Sequence, residues 1–193
     1  MDEKLEKLTR GEYHNPFEIL SWHKIDGRYV VRVFVPEAVS VSLIRVGKGK
    51  EYPLKHIKSG IFEGYFDTSF DYRVQAEHKN HIKRVFIDPY SFDKSFFGEM
   101  DLFLFNQGNH FEIFKKMGAV YRIIDNIEGY NFSVWAPNAK RVSTVGDFNN
   151  WDGRIHQMRV LGNSGIWEIF IPEVGCGSLY KYEILTGQNQ ILL

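Results

Sequence analysis

The alternation of apolar and polar residues predicts short β-strands along most of the chain. Side chains two positions apart lie on the same face of a strand, so this period is typical of strands with one buried face. Proline, glycine, aspartate and serine separate the runs, and strands at this spacing predict a β-sandwich. The clearest runs are Val31, Val33 and Val35, which end at Pro36; Val39, Val41 and Leu43; and Phe132, Val134 and Ala136, which end at Pro137.

The second half of the chain repeats the order of the first half. The offset between matching segments grows from 94 (111 − 17) to 108 (180 − 72), and the order is kept throughout. This regularity predicts a tandem duplication, and hence an all-β chain of two tandem immunoglobulin-like β-sandwiches. The matching segments are Phe17-Glu18-Ile19 and Phe111-Glu112-Ile113, Pro36-Glu37-Ala38 and Pro137-Asn138-Ala139, Gly60-Ile61-Phe62-Glu63 and Gly165-Ile166-Trp167-Glu168, and Tyr72-Arg73-Val74 and Tyr180-Lys181-Tyr182.

The predicted domain boundaries are 1–92 for the first sandwich, 93–118 for a packed linker with a short helix, and 119–193 for the second sandwich. The linker is too apolar for a flexible tether, so its aromatic residues should pack and fix the two domains relative to each other. These residues are Phe96, Phe97, Leu102, Leu104 and Phe105.

Two short helices are predicted outside the strands. Leu5 and Leu8 stand at helical spacing among charged residues, which indicates a short surface helix or a frayed end over residues 2–10. Phe111, Phe114 and Met117 would share one helical face before Gly118, which indicates a short capped helix over 109–118.

A loop from Gly146 to Gly153 distinguishes the two copies. Val142 and Gly165 are 23 positions apart, whereas the matching Val41 and Gly60 are 19 apart, so the second copy has four extra residues here. The loop reads GDFNNWDG, and its Trp151 offers a flat apolar face beside amide and carboxylate groups. A pyranose ring could stack on the indole while the polar groups meet its hydroxyls. Alternatively, Phe148 and Trp151 fold back and cap the sandwich; of the two, Phe148 fits the core better.

The composition of the chain limits the kinds of partner that it is expected to bind. Lysine plus arginine and aspartate plus glutamate both total 24, so no excess charge indicates nucleic acid or an anionic membrane as a partner. Cys176 is the single cysteine, which excludes an internal disulfide and fits a reducing compartment. The charged N-terminus shows no signal peptide and no apolar run is long enough for a membrane span. The expected location is therefore the cytoplasm.

Few residues suit catalysis or metal binding. Asp147 and Asp152 are the only carboxylate pair near the candidate sugar surface, and turn capping explains them better than catalysis, because a surface loop offers no burial to raise a pKa. The loop matches a calcium loop poorly, since Trp151 stands where an oxygen ligand is needed. His78 and His81 fit a solvated hairpin better than a metal site. We predict no metal and no cofactor.

The chain resembles a known family in several segments. Phe132–Gly153, with Gly165-Ile166-Trp167-Glu168 and Leu179–Glu183, is similar to the glycogen-binding-type module of bacterial 1,4-α-glucan branching enzymes. Asn15–Leu20, Asp88–Tyr90 and Gly98–Phe105 are similar to the extra N-terminal module and linker of the longer members.

The resemblance implies a set of site residues. It places the sugar-stacking tryptophan at Trp151 and the binding lysine at Lys181, and we add Asn149 and Asn150 from the same loop. Some related modules have a second tryptophan where this chain has Gln188-Asn189-Gln190, so a weak surface for glycogen or linear α-1,4-glucan is expected.

The resemblance also implies that the chain is a fragment. The catalytic barrel of the family would follow Leu193, and the fragment alone should be inactive. Full-length members cleave an α-1,4 bond and transfer the freed segment to a 6-hydroxyl by a retaining mechanism. In the alternative hypothesis the region is purely structural, and Phe34, Trp135 and the linker aromatics dock on that barrel. A third hypothesis, a hydrolase in its own right, predicts reducing sugar released from glycogen.

Overall fold

The computed structural model describes residues 2–193, and these residues form an all-β architecture with two short α-helices. The first half contains α1 (Asp2–Thr9), β1 (Ser21–Ile25), β2 (Arg28–Phe34), β3 (Ala38–Arg45), β4 (Glu51–Pro53), β5 (Lys55–Lys58), β6 (Ile61–Phe66), β7 (Tyr72–His78) and β8 (Lys83–Phe86). The second half contains α2 (Glu99–Asn106), β9 (Gly118–Ile124), β10 (Ile127–Trp135), β11 (Ala139–Gly146), β12 (Arg159–Val160), β13 (Ile166–Pro172), β14 (Tyr180–Thr186) and β15 (Ile191–Leu192).

The strand order confirms two tandem sandwiches. The first consists of sheets β1-β2-β6-β5 and β4-β3-β7-β8, and the second of sheets β9-β10-β13-β12 and β11-β14-β15. Every neighbouring pair in these sheets is antiparallel. Each strand of the second sandwich therefore has a counterpart in the first, which has β4 as one additional edge strand, and this is the arrangement that a duplicated sandwich requires.

Local features of the backbone repeat as well. The register shifts at Ala38/Ser40 on β3 and again at Ala139/Arg141 on β11. Gly60 and Gly165, which open the matching segments, have φ angles of 87° and 72°. A Cβ atom added to Gly60 would lie 3.0 Å from the Cα of Pro36, and one added to Gly165 would lie 2.7 Å from the Cα of Pro137. The two copies thus share a tight glycine–proline contact that only glycine accommodates in this conformation.

The N-terminal helix α1 is a surface helix, as the sequence predicts, with Glu3, Lys4 and Lys7 exposed and one apolar face buried. Leu5 and Leu8 retain only 5% and 0% of their exposure and join a core that continues into the second sandwich. The Nε2 of Gln157 donates to the carbonyl of Leu8 at 3.0 Å, and the Nε of Arg141 donates to the carbonyl of Gly11 at 2.8 Å. The apolar face of the helix is buried because it meets a surface from the distant half of the chain.

The linker packs on the second sandwich only. Phe97 is buried with Leu161 and Ile166, and Phe96, Leu102 and Phe105 pack against this cluster. The linker aromatics therefore do not fix the two sandwiches to each other, contrary to the prediction. That role falls to α1 and to Tyr90, whose hydroxyl lies 3.0 Å from the carbonyl oxygen of Ile155 across the boundary.

The helix of the linker lies earlier than predicted. It spans Glu99–Asn106, and Asp101 caps it by accepting a hydrogen bond from the backbone N–H of Gly98 at 2.7 Å. Within 109–118 only Ile113–Lys115 forms a single 3₁₀ turn. Phe111 and Phe114 are 86% and 69% exposed, so a longer helix here would bury no aromatic face that could stabilise it.

Candidate functional site

The loop after β11 is organised around the buried side chain of Asn149. Its Oδ1 accepts from the backbone N–H of Gly146 at 2.9 Å, and its Nδ2 donates to the carbonyl of Thr144 at 2.8 Å. The same Nδ2 lies 2.9 Å from the Nδ1 of His156. Asn149 retains 3% exposure. It therefore shapes the loop from inside, and its predicted contact with glucan stays a prediction.

A buried ion pair holds the far end of the loop. The Nη1 of Arg141 on β11 donates to the Oε1 of Glu183 on β14, and to the Oγ of Ser143 at 2.8 Å. A Cβ atom added to Gly153 would lie 2.0 Å from the same Oε1. The absence of a side chain at Gly153 thus lets the loop lie directly on the ion pair and cover the outer face of the sheet.

Trp151 is presented to solvent at the tip of this loop. The residue is 43% exposed, and its Nε1–H donates to the Oδ1 of Asp147 at 3.2 Å. The other oxygen of Asp147 accepts from the backbone N–H of Leu179, also at 3.2 Å. Asp147 therefore fixes the edge of the indole against the start of β14 and leaves much of the ring free for contact.

The backbone at the tip is strained. Asn150 and Trp151 have φ angles of 54° and 61°, in the left-handed region that favours glycine. A residue as bulky as tryptophan rarely adopts this conformation, and such strain is concentrated at functional sites. The loop holds this conformation with buried polar contacts beneath it, and the conformation exposes the indole.

The other loop aromatic has the opposite role. Phe148 packs against the core of the second sandwich, with its ring centroid 5.9 Å from that of Phe132 and 5.6 Å from that of His156. This confirms its assignment to the core. The two aromatics of the loop are thus divided between the interior, where Phe148 lies, and the surface, where Trp151 lies.

The ionisable groups of the loop are held in fixed charge states. Burial lowers the pKa of His156 to about 3, so the imidazole is neutral at physiological pH. Burial opposes ionisation of Asp152, but hydrogen bonds from the side chain and the backbone N–H of Arg154 outweigh it and lower the pKa of Asp152. A carboxylate stabilised in its charged form is poorly suited to act as a general acid. The backbone N–H of Arg154 donates to Asp152 at 2.9 Å, as in an ordinary capped turn.

The remaining predicted residues lie at the same end of the second sandwich as Trp151. The backbone N–H of Trp151 donates to the carbonyl of Gly146, and Gly146 pairs with Tyr180, which is adjacent to Lys181. Lys181 and Asn150 are both exposed. The structure therefore leaves Trp151, Asn150 and Lys181 exposed at one end of the second sandwich.

Sequence reasoning missed Leu179 as part of this surface and interpreted Asp147 as a turn-capping residue only. Leu179 is 65% exposed and lies beside the loop through its contact with Asp147, and Asp147 itself orients the indole. Leu179 opens the Leu179–Glu183 segment that carried the resemblance, so its position was a usable signal. The role of Asp147 depends on the folded loop.

Residues 2–193 show neither a metal site nor a membrane-spanning helix. No group of three or more histidine, cysteine, aspartate and glutamate side chains is placed to hold a metal ion. Neither α-helix in the part of the chain that the structure describes is long and apolar enough to cross a bilayer.

The fold and the exposed loop define a class of protein, a carbohydrate-binding module preceded by a second β-sandwich. Residues 116–193 match the family described as carbohydrate-binding module 48 (isoamylase N-terminal domain). Residues 1–90 match the alpha-1,4-glucan branching enzyme GlgB N-terminal domain. The chain therefore belongs to the family of GlgB branching enzymes and corresponds to their N-terminal region.

Similar proteins agree with this assignment. The chain is 45% identical to the 1,4-alpha-glucan branching enzyme GlgB of Pseudomonas fluorescens, with 97% of the chain and 25% of that protein covered. It is 41% identical to the GlgB of Nostoc sp. and 40% identical to that of Myxococcus xanthus, with 98% of the chain covered in each case and 25% and 26% of those proteins. The chain thus spans about a quarter of the length of these relatives.

Proposed function

We propose that this chain is the non-catalytic N-terminal region of a 1,4-α-glucan branching enzyme and that its second sandwich binds α-glucan weakly through Trp151, Asn150 and Lys181. In the parent protein the remaining three-quarters would carry out the transfer from an α-1,4 to an α-1,6 linkage. The proposed domains are those predicted from the sequence, 1–92, 93–118 and 119–193. The cytoplasmic location stays a prediction.

The observation that carries this proposal is the exposed indole at a strained position. Trp151 occupies the left-handed region and keeps 43% of its surface exposed, although folding usually buries a tryptophan. The edge of the indole is fixed by Asp147, so the ring is ordered before a ligand arrives. A pyranose can then stack on the ring at little cost in side-chain entropy.

A weak site suits a polymer ligand. One stacking ring with a few hydrogen bonds gives low affinity for a short oligosaccharide, but a long glucan brings repeated units to the same surface. The role of the module would be to raise the local concentration of glucan near the catalytic domain.

The proposal can be tested with two matched tryptophan variants. Maltoheptaose is titrated into the wild type, Trp151→Ala and Trp135→Ala while chemical shifts or intrinsic fluorescence are followed. Trp135 is the control because it is 56% exposed on the same sandwich but lies outside the loop. We expect saturable binding in the wild type and in Trp135→Ala, and none in Trp151→Ala. Equal responses in all three proteins, or no response in any, would remove the binding proposal.

A second candidate function is docking of the catalytic domain, and an exposed apolar face favours it. Trp135 contacts Phe105 edge to face, and Met100, Phe103, Phe111 and Phe114 are 58–86% exposed around the same linker. Exposed apolar residues in such number mark an interaction surface. Phe34, which was predicted to take part, is 7% exposed and packs in the core that α1 shares, so we leave it out of this surface.

This second function predicts complex formation. The separately produced catalytic domain should bind the wild-type chain, and the double substitution Phe103→Ser and Trp135→Ser should weaken that binding at least tenfold without changing the response to maltoheptaose. Full binding by the double variant would exclude this face as the docking surface. In either case the chain alone should release no reducing sugar from glycogen.

A further inference from the structure

A cleft of about 850 Å³ separates the two sandwiches, and neither the binding loop nor the docking face accounts for it. Its walls come from the β7–β8 hairpin of the first sandwich and, in the second, from the end of β13 and the loop Gly146–Gly153, called the Trp151 loop below. The volume is in the range of ordinary ligand sites. Residues from both modules form it, so it exists only when the two modules are together.

The charged groups of the walls are only partly satisfied within the protein. Glu37 pairs with Arg154 at 3.1 Å and Glu173 with Arg73 at 2.6 Å, and both ion pairs cross the module boundary. The side chains of Lys79, Arg84 and Asn150 make no hydrogen bond to any residue in the described range 2–193. Glu37 and Glu173 therefore join the modules, whereas the donors of Lys79, Arg84 and Asn150 remain free in the cleft.

Apolar side chains form much of the remaining wall, beside polar residues such as His78 and Asn80. Val35, Val85, Pro172 and Val174 contribute to the walls, and no exposed aromatic ring lies among them. Apolar walls with a few free donors match the surface of an α-glucan, whose rings present C–H groups on their faces and hydroxyls at their rims. A strongly anionic ligand fits less well because Glu37, Asp152 and Glu173 line the same cleft.

The cleft is continuous with the candidate site in one direction and with a second groove in the other. Asn150 and Asp152 belong to the Trp151 loop and also line the cleft. Pro36, Glu37 and Lys79 line both the cleft and a neighbouring groove of about 550 Å³ that extends to Arg10 and His56. An elongated path of this kind fits a polymer better than a compact small molecule.

We propose that the cleft between the two sandwiches is a second α-glucan subsite, in which Lys79, Arg84 and Asn150 donate to glucan hydroxyls while the chain continues from Trp151. The inference rests on the proposed function, because the same polymer must occupy both subsites. It assigns a role to the first sandwich, which lacks an exposed loop tryptophan of its own. The cleft would contribute to the affinity only for glucans long enough to reach from one subsite to the other.

The test compares a short and a long ligand in four proteins. Dissociation constants for maltotriose and maltodecaose are measured by calorimetry or chemical-shift titration. The proteins are the wild type, Lys79→Ala/Arg84→Ala, Trp151→Ala, and the control Arg28→Ala/Lys48→Ala. The control removes the same charge from exposed residues of the first sandwich outside the cleft.

We expect the wild type and the control to bind maltodecaose at least about tenfold more tightly than maltotriose, because the second contact is made within the same molecule. Lys79→Ala/Arg84→Ala should bind maltotriose like the wild type, but its affinity for maltodecaose should be no higher than its affinity for maltotriose. Hydrogen exchange should show protection of residues 78–86 by maltodecaose only.

Failure of each proposal has its own signature. If the wild type binds neither sugar, the proposed function fails. If Trp151→Ala abolishes binding but Lys79→Ala/Arg84→Ala keeps the full gain with length, the cleft inference is overturned and the proposed function stands. Loss of maltotriose binding in Lys79→Ala/Arg84→Ala would also overturn the inference, since the two subsites would then not be separable.

Discussion

The two sandwiches share one strand arrangement but differ in what lies on the outer face of one sheet. Arg141, Ser143 and Glu183 of the second correspond to Ser40, Ser42 and Gln75 of the first. In the second copy Arg141 and Ser143 are buried beneath the Trp151 loop. In the first copy the matching face is open and polar, and Gln75 reaches Ser42 only at 3.4 Å.

This difference shows what a duplicated fold needs before it can present a binding loop. Four extra residues and a tryptophan are insufficient unless the strands below supply anchors. Arg141 pairs with Glu183 beneath the loop, and the first copy has Ser40 and Gln75 at the corresponding positions. The loop and its supporting residues are therefore one unit, and the scaffold alone does not determine the site.

The largest expected effect comes from Arg141→Met. The substitution leaves Glu183, whose side chain is 15% exposed, without its ion-pair partner beneath the loop. We expect a loss of about 3–5 kcal/mol in the free energy of unfolding and loss of maltoheptaose binding. The matched change Ser40→Ala in the first sandwich should alter stability by less than about 0.5 kcal/mol. Urea unfolding of both variants measures the contrast, and equal losses would contradict the proposed role of the anchor.

A second comparison uses two buried titratable groups, one at the end of each sandwich. His156 has a pKa lowered from 6.5 to about 3 by burial, so its contribution to stability is present above pH 6.5 and decreases as the pH falls towards 3. Burial raises the pKa of Asp88 from 3.8 to about 6, against hydrogen bonds from Tyr72 and from the backbone of Tyr90. Its ionised form is therefore disfavoured in the folded state, and stability increases as the pH falls from 6 towards 4.

Substitutions at these two groups should give opposite pH dependences. When the pH falls from 7 to 5, we expect the titration of His156 to lower the free energy of unfolding by about 2 kcal/mol and that of Asp88 to raise it by about 1 kcal/mol. The variant His156→Asn, which retains an acceptor for Asn149, should therefore become more stable as the pH falls, whereas Asp88→Asn should become less stable. Chemical unfolding at several pH values tests this, and slopes of the same sign would refute the assignment.

The two neighbouring asparagines of the loop should behave differently. Asn149→Ala removes the partner of the Gly146 N–H and the Thr144 carbonyl, which are both buried, so we expect a loss of roughly 2–3 kcal/mol. Asn150→Ala affects an exposed side chain and should change stability by less than about 0.5 kcal/mol, while weakening the affinity for maltodecaose. Thermal or chemical unfolding measures the first effect and glucan titration the second. A destabilised Asn150→Ala would show that the two roles have been exchanged.

The smallest expected effect concerns backbone strain at Trp151. Glycine adopts the left-handed region readily, whereas alanine does not, so Trp151→Gly should be more stable than Trp151→Ala by about 1 kcal/mol. Neither variant should bind glucan. The difference between their unfolding midpoints gives the strain directly, and identical midpoints would mean that the loop relaxes once the indole is removed.

Several features could be predicted from the sequence because they depend on neighbours close along the chain. The alternation before Pro36 and Pro137 located β2 and β10, the repeated segments gave the duplication, and the extra residues marked the loop after β11. Phe148 was correctly assigned to the core. These are local or repeated patterns, and the physical rule of period two applies to them without knowledge of the rest of the fold.

The roles of other residues were decided only by contacts between distant parts of the chain. Leu8 is buried because Gln157, 149 positions away, lies against α1, and Asn149 is internal because Thr144 and His156 converge on it while its neighbour Asn150 remains exposed. The cleft likewise requires both modules. The sequence determined the duplicated scaffold and the position of the loop, whereas the tertiary structure decided which side chains of the loop are buried and which are exposed, because burial depends on the surface that folding brings opposite each side chain.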